Sequence, residues 1–241
     1  MSDTRFSPFG GTFNSQKVTS RNEGLREYML GVYNYMTIAL GISGVVAFFA
    51  AYSGLALALF SSPLGIIVSF SPLIMSFYLA FKFQKMEFAA VRSFLLIYSA
   101  LMGLSLSSVF LVYSSTSIAR AFFITAGMFG SMSIYGYSTK KDLTGFGSFM
   151  IMGAIGVLIA SVVNIFMQSS AMSLVISFLS VVIFTGLTAY DTQKIKNMYY
   201  LVYSDSQLAK KIAVFGAFQL YMDFVVIFVH MLRLLDTVRR N

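Results

Sequence analysis

Seven long apolar blocks constrain this chain more than any other feature of its sequence. A helix needs about 20 apolar residues to cross a hydrocarbon core of ~30 Å, and each block approaches or exceeds that length. The blocks are continuously apolar rather than alternating, which argues against a strand barrel. The pattern predicts an all-α integral membrane protein with about seven transmembrane helices. The predicted blocks are Leu30–Tyr52, Leu64–Phe81, Phe94–Tyr113, Ala121–Tyr137, Ser148–Met167, Ala171–Tyr190 and Ile212–Leu232.

The composition agrees with a surface that faces lipid. Hydrophobic residues make up 57% of the 241 residues and charged residues only 11%, whereas a soluble domain usually has about 25% charged residues. The net charge of +8 does not indicate nucleic-acid binding. The basic residues are dispersed among the gaps between blocks and form no basic face of a soluble domain. The lipid bilayer is therefore the expected partner.

The basic residues also predict an orientation, because cytoplasmic loops are enriched in Lys and Arg. Seven crossings place thirteen of the seventeen basic residues on the side of the N-terminus, which predicts a cytoplasmic N-terminus. An odd number of crossings puts the C-terminus outside, and the basic residues Arg239 and Arg240 argue mildly against that. A seventh segment that re-enters the cytoplasm is the alternative.

The chain divides into a membrane domain and two tails. Residues 1–27 are polar and predict a disordered N-terminal tail, residues 28–235 form the seven-helix domain, and residues 236–241 form a basic C-terminal tail. No short apolar segment followed by a small-residue cleavage site opens the chain, so the first block is expected to act as an uncleaved anchor.

One acidic residue lies in the middle of an apolar block. Asp223 interrupts the last block, and a charge at that depth is costly enough to indicate function. The structural alternative is an acid that merely ties two helices together. Gln219, four residues earlier, and His230, seven later, share its helical face. We expect them to support a pore or latch, although His230, near the block's end, is better explained by solvation at the interface.

A second acid, Asp191, ends the sixth block. If that helix continues to about Tyr200 and the chain turns near 204–206, two antiparallel helices bring Asp191 and Asp223 to depths that differ by less than ~10 Å. Two carboxylates in a low-dielectric site cannot both ionise cheaply and would titrate as one unit. Such a pair predicts a proton-sensitive latch or a cation site, with calcium a possible ligand because Ca²⁺ prefers oxygen atoms. Asp191 paired with Lys194 or Lys196 is the simpler alternative.

Enzyme chemistry finds little support in the sequence. Cysteine is absent and His230 is the only histidine. The chain has no H-E-x-x-H zinc motif, no G-x-S-x-G nucleophile elbow and no phosphate-binding Walker loop. We therefore expect neither catalysis nor a bound cofactor.

Four segments carry a resemblance to a known family. They begin at Gly24, Ser133, Phe184 and Leu220, and the most specific reads Phe-Thr-Gly-Leu-Thr-Ala-Tyr-Asp-Thr-Gln-Lys-Ile and contains Asp191. Together they resemble a bacterial member of the Bax inhibitor family, the transmembrane Bax-inhibitor-motif proteins. The resemblance runs over nearly the whole chain after residue 24.

The resemblance implies more than the residues show by themselves. It implies a seven-helix bundle with the C-terminal helix central, enclosed by the other six. It implies a pH-sensitive calcium leak whose gating acids correspond to Asp191 and Asp223. An arginine on the second helix of relatives braces the sixth-helix acid. That helix has no arginine here, so either Lys82, Lys85 or Arg92 replaces it, or the latch differs.

The leading hypothesis is therefore a proton-sensitive calcium (cation) leak channel of a bacterial inner membrane. The second is a non-conducting regulator that binds another membrane protein, such as a membrane-bound protease or a stress component. A proton-coupled transporter of a small solute is a weaker third hypothesis.

Overall fold

The computed structural model describes residues 10–240, with side chains from residue 22 to residue 237, and this part of the chain consists of helices joined by short connections, without a strand. Eight α-helices follow one another with short connections. They are α1 (Gly10–Tyr52), α2 (Leu55–Phe60), α3 (Leu64–Lys82), α4 (Phe88–Val112), α5 (Ser115–Ser138), α6 (Thr144–Met167), α7 (Ser170–Val202) and α8 (Ser206–Arg240), with a 3₁₀ turn at Phe83–Lys85 after α3.

Seven of these helices are long and apolar enough to cross a membrane, which confirms the predicted number of spans. Only α2, with six residues, is too short. The sixth predicted block stops at Tyr190, but α7 continues to Val202 because its polar last turns are buried among neighbouring helices. The last span is one unbroken helix, so a re-entrant seventh segment is not seen in the described residues.

The predicted tails are shorter in the structure than in the sequence analysis. α1 begins at Gly10, so residues 10–27 are helical where a disordered tail was expected. Extending a helix that the membrane span already nucleates costs far less than starting one, and Leu25 is buried in the core. Residues 1–9 lie outside the described residues. At the other end, α8 includes residues 236–240 of the expected tail.

Helix α8 occupies the centre of the bundle. In its most apolar 18-residue window, 61% of the residues are buried, compared with 6% in the corresponding window of α6. It packs against α1, α4, α5 and α7, whereas α6 packs on the outside of α7 and α3 on the outside of α4. The C-terminal helix is thus central, as expected, and four of the other six spans make most of its wall.

The outer surface of the bundle is apolar. Large side chains such as Phe123, Phe149 and Phe166 are mostly exposed, which water would penalise by about 25 cal/mol per Å² of apolar surface. In a bilayer the same side chains face hydrocarbon. The bundle is therefore a multi-pass membrane protein in contact with lipid.

Candidate functional site

Asp223 lies at the middle of α8 and is one of the most deeply placed charged groups of the bundle. It is 4% exposed, and its Oδ2 atom has no hydrogen-bond partner. Its two neighbours on the amino-terminal side are held in place. The Tyr221 hydroxyl lies 2.6 Å from Ser43 Oγ of α1, and the Tyr98 hydroxyl of α4 donates to Met222 Sδ at 2.8 Å. The backbone around Asp223 is therefore fixed while its carboxylate keeps an unpaired oxygen.

Asp191 lies on α7, which packs directly against α8. It is 9% exposed, and its charge acts on Asp223 across the interface between the two helices. The contacts of Ile195 with Gly216 and of Ser177 with His230 fix the register of these antiparallel helices. By that register Asp191 is level with the turn of Gln219, about one turn from Asp223. The structure thus brings the two predicted acids into electrostatic contact.

Gln219 and His230 have different roles in the structure. Gln219 lies one turn before Asp223, and its Oε1 atom is also buried without a partner. His230 lies about 10 Å further along α8, where its Nδ1 atom is 3.3 Å from Ser177 Oγ of α7. Gln219 therefore belongs with the acid pair, and His230 links the two helices nearer their other end.

The three basic residues expected to brace Asp191 are elsewhere. Lys82, Lys85 and Arg92 are all exposed, and within the described part of the chain none makes an ion pair with Asp191. The cation whose charge acts on Asp191 is Lys194, less than one turn further along α7. Lys194 was considered in the sequence analysis only as an alternative partner of Asp191.

The residues that flank Asp191 hold α7 in place, and sequence reasoning missed their roles. Thr192 Oγ1 lies 3.0 Å from Ser133 Oγ of α5, and that hydroxyl lies 2.7 Å from Tyr33 Oη of α1. Gln193 accepts a hydrogen bond from Leu143 N at 2.8 Å and donates to the Lys141 carbonyl at 2.7 Å. The signal was present in the sequence, since a run of polar residues continues a helix that is otherwise apolar.

Two more hydroxyls lie near the depth of Asp223 without hydrogen-bond partners. Thr185 Oγ1 belongs to α7, between the two contacts that fix the register. Thr125 Oγ1 belongs to α5, between Phe122 and Phe129, which both contact the Phe224 ring beside Asp223. Each unpaired buried oxygen costs about 1–3 kcal/mol unless a proton, a water molecule or a cation satisfies it.

The side chains around the pair offer few of the oxygen ligands that a tightly held calcium ion takes. Ca²⁺ takes six to eight oxygen ligands when it is tightly held. Within the described residues, no group of three or more His, Cys, Asp and Glu side chains is placed to hold a metal. Two carboxylates with the Gln219 amide and nearby hydroxyls form a smaller and weaker set of ligands.

Comparison with known proteins places this geometry in a family. The family model described as "Inhibitor of apoptosis-promoting Bax1" matches residues 25–241. An uncharacterized protein of Rickettsia prowazekii is 44% identical over 226 residues, covering 92% of this chain and 95% of the relative. The inner membrane protein YbhL of Escherichia coli strain K12 is 40% identical over 230 residues, covering 93% and 97%.

A more distant relative shows the same extent of similarity. An uncharacterized membrane protein of Streptococcus pyogenes serotype M1 is 36% identical over 220 residues, which cover 90% of this chain and 95% of the relative. The family model includes both acids and nearly the whole of the region that contains the seven candidate spans. The chain belongs to the Bax inhibitor family.

Proposed function

We propose that this protein is a proton-sensitive calcium (cation) leak channel of a bacterial inner membrane, gated by Asp191 and Asp223. The supporting observation is the unpaired carboxylate oxygen of Asp223, buried in the central helix about one turn from the level of Asp191 on α7. The name of the Escherichia coli relative supports an inner-membrane location, and the distribution of basic residues supports a cytoplasmic N-terminus.

The oxygen atoms at the centre of the bundle support passage of a cation. The unpaired atoms are Asp223 Oδ2, Gln219 Oε1, Thr125 Oγ1 and Thr185 Oγ1. They come from α5, α7 and α8, and the register places them within about two turns of each other. A cation that loses part of its hydration shell in the bundle needs replacement oxygens of this kind.

Proton sensitivity follows from the proximity of the two carboxylates. Two negative charges side by side in a medium of low dielectric repel strongly, so the pair is expected to share a proton. The charged groups that act on the pair are the acids themselves and Lys194, which favours ionised Asp191. Loss of the shared proton would increase repulsion between α7 and α8 and draw cations to the pair.

Asp142, an acid outside the spans, is a poor candidate for the sensor. Asp142 lies in the loop between α5 and α6, where it accepts hydrogen bonds from the backbone and side chain of Thr144 at 2.9 and 2.6 Å. These bonds hold the pKa of Asp142 below its ordinary value. It therefore stays ionised through the neutral range, where the acid pair is expected to respond.

The test is calcium flux into proteoliposomes that contain the purified full-length chain, measured at a series of pH values. One proton that controls opening changes the equilibrium by about 1.4 kcal/mol, or tenfold, per pH unit on the steep side of the titration. We expect Asp223→Asn to change the flux and to flatten its pH dependence, because the amide does not titrate. Asp191→Asn should flatten it as well, and the double variant should resemble the single variants.

The matched control is Asp205→Asn, the same chemical change at the start of α8. Asp205 accepts hydrogen bonds from Gln207 N and Leu208 N, both at 3.0 Å, and asparagine caps a helix about as well as aspartate. This variant should leave flux unchanged at every pH. Wild-type flux that Asp223→Asn leaves unaltered would contradict the gate, and a wild-type protein without any flux would favour the non-conducting regulator.

A further inference from the structure

A polar cavity lies at the end of the bundle where α4 ends and α7 begins, beside the last turns of α8. It has a volume of about 290 Å³, and seven of its eight lining residues are polar. Among them are Ser170, Ser173, Ser177, Arg233 and Thr237. A hollow lined in this way suits water, and its volume has room for several molecules at ~30 Å³ each.

The cavity reaches from the face of the membrane into the bundle. Ser170 and Arg233 are exposed at its rim. The rim carries one charge of each sign, on Arg233 and Asp236, so it does not present a net positive barrier to a cation. Ser177 is only 1% exposed and lies two turns, or roughly 10 Å, along α7 from Ser170. The cavity thus carries polar surface about a third of the way through a hydrocarbon core of ~30 Å.

At its inner end the cavity meets the only histidine of the chain. Ser177, which lines the cavity, has its Oγ atom 3.3 Å from His230 Nδ1 of α8. Asp223, His230 and Thr237 follow one another at seven-residue spacing, so they lie on one face of α8. Because Thr237 also lines the cavity, this face connects the cavity with the buried acid, and His230 lies between them.

Apolar packing closes the stretch between His230 and Asp223. Ile227 lies between them on the same side of α8, about one turn from each, and is fully buried. Neither Ile227 nor Asp223 lines the cavity. The polar surface therefore stops at the contact between His230 and Ser177.

We propose that this cavity is a water-filled vestibule of the cation path and that the contact between His230 and Ser177 closes its inner end. The inference rests on the proposed channel function, but both the water and the closure can be tested without ion flux. Asp223 lies about 10 Å deeper along α8. The path then has two separate contacts between α7 and α8, and both must open for a cation to cross.

The first test measures water access with single cysteines, because the chain has no cysteine of its own. Full-length protein in nanodiscs, which leave both faces open to solvent, is treated with a charged, membrane-impermeant thiosulfonate. Ser177→Cys should react about tenfold faster than Phe178→Cys or more, since only the thiolate reacts and hydrocarbon suppresses its formation. Phe178 is the matched control, because it is the next residue of α7 and is 58% exposed, but toward lipid.

A second pair of variants makes the same comparison one turn nearer the rim. Ser173→Cys lines the cavity, whereas Val175→Cys is at a position 56% exposed on the lipid side of α7. Ser173→Cys should react faster, even if Ser177→Cys does not fold. Equal rates within both pairs would overturn the water-filled vestibule.

The second test removes the histidine ring. Ile227→Cys should not react while His230 is present and should react when it is combined with His230→Ala. Val214→Cys, equally buried nearer the other end of α8, should stay unreactive in both backgrounds, which shows that the bundle has not loosened as a whole. Ile227→Cys that reacts equally in both backgrounds, or in neither, would overturn the closure.

Calcium flux separates this inference from the proposed function. In proteoliposomes His230→Ala should increase the flux, because one of the two contacts that close the path is lost. A wild-type protein without flux at any pH would contradict the channel, whereas the labelling of Ser177→Cys and Ile227→Cys would still decide whether the vestibule and its closure exist.

Discussion

The residues around Asp191 show why every position in one stretch of α7 is constrained. Ala189 packs against Gly136 of α5, the Tyr190 ring covers Gly147 of α6, and Asp191 faces α8. Thr192 then contacts α5 and Gln193 binds the loop between α5 and α6. Successive residues of a helix point in different directions. Because α7 has neighbours on several sides, the residues from 189 to 193 pack against several different helices and a loop.

The contact between Gly136 and Ala189 is the tightest of these, and it predicts that a methyl group added at Gly136 destabilises the protein. A Cβ atom at Gly136 would overlap the backbone carbonyl of Ala189, which cannot move without shifting α7. We expect Gly136→Ala to destabilise the protein by about 1–3 kcal/mol, as overpacking of a core does. The measurement is the thermal midpoint of unfolding in detergent, together with flux, because α7 carries Asp191.

Gly130 on the same helix provides the control for this substitution. An added side chain there meets no atom within 4 Å, and alanine is favoured over glycine in a helix interior by up to about 1 kcal/mol. Gly130→Ala should therefore keep or slightly raise the midpoint. Similar midpoints for the two variants would show that α5 and α7 are less tightly packed than the structure indicates.

At the level of elements, Gln193 joins α7 to the connection between α5 and α6. Its side chain satisfies the buried Leu143 N–H and the Lys141 carbonyl. Lys196 of the same helix donates to the Tyr137 carbonyl at the end of α5, at 2.6 Å. The helix that carries Asp191 is thus attached to the start of α6 and the end of α5 by side-chain bonds to backbone groups.

Removing the Gln193 side chain should loosen this connection specifically. Gln193→Ala leaves a buried N–H unpaired, which costs about 1–3 kcal/mol. We expect faster hydrogen exchange at residues 139–143, read by mass spectrometry, with little change at residues 203–205. Gln207→Ala, at an exposed position in the first turn of α8, should leave both loops as they are. Unchanged exchange at residues 139–143 in Gln193→Ala would contradict the proposed attachment.

At the level of the whole molecule, the sequence predicts the number of membrane crossings better than it predicts the contacts between helices. Seven spans and the turn before Ser206 follow from apolar length, because the bilayer imposes one requirement on every span. The central position of α8 came from the family resemblance, since α6 and α8 are both apolar and composition does not reveal which is enclosed. The sequence analysis considered Lys82, Lys85 and Arg92 as supports for Asp191, whereas the cation whose charge acts on Asp191 is Lys194. Lys194 looks like an ordinary interfacial residue until α7 is known to continue to Val202.

The orientation of the bundle is open to a direct test, because the chain has no cysteine of its own. Seven spans put the connections at Lys140 and Ser204 on one side of the membrane and those at Ser53 and Thr116 on the other, and all four residues are exposed. The excess of Lys and Arg on the first side predicts that it is cytoplasmic.

A membrane-impermeant thiol reagent, applied to cells with a permeabilised outer membrane and an intact inner membrane, should therefore label Ser53→Cys and Thr116→Cys. Lys140→Cys and Ser204→Cys should react only after lysis. The reverse pattern would mean that the N-terminus lies outside the cytoplasm and that Arg233 lies near the cytoplasmic face of the membrane. Labelling of Ser204→Cys together with Thr116→Cys in unlysed cells would contradict the number of crossings itself, because α5, α6 and α7 separate those two positions.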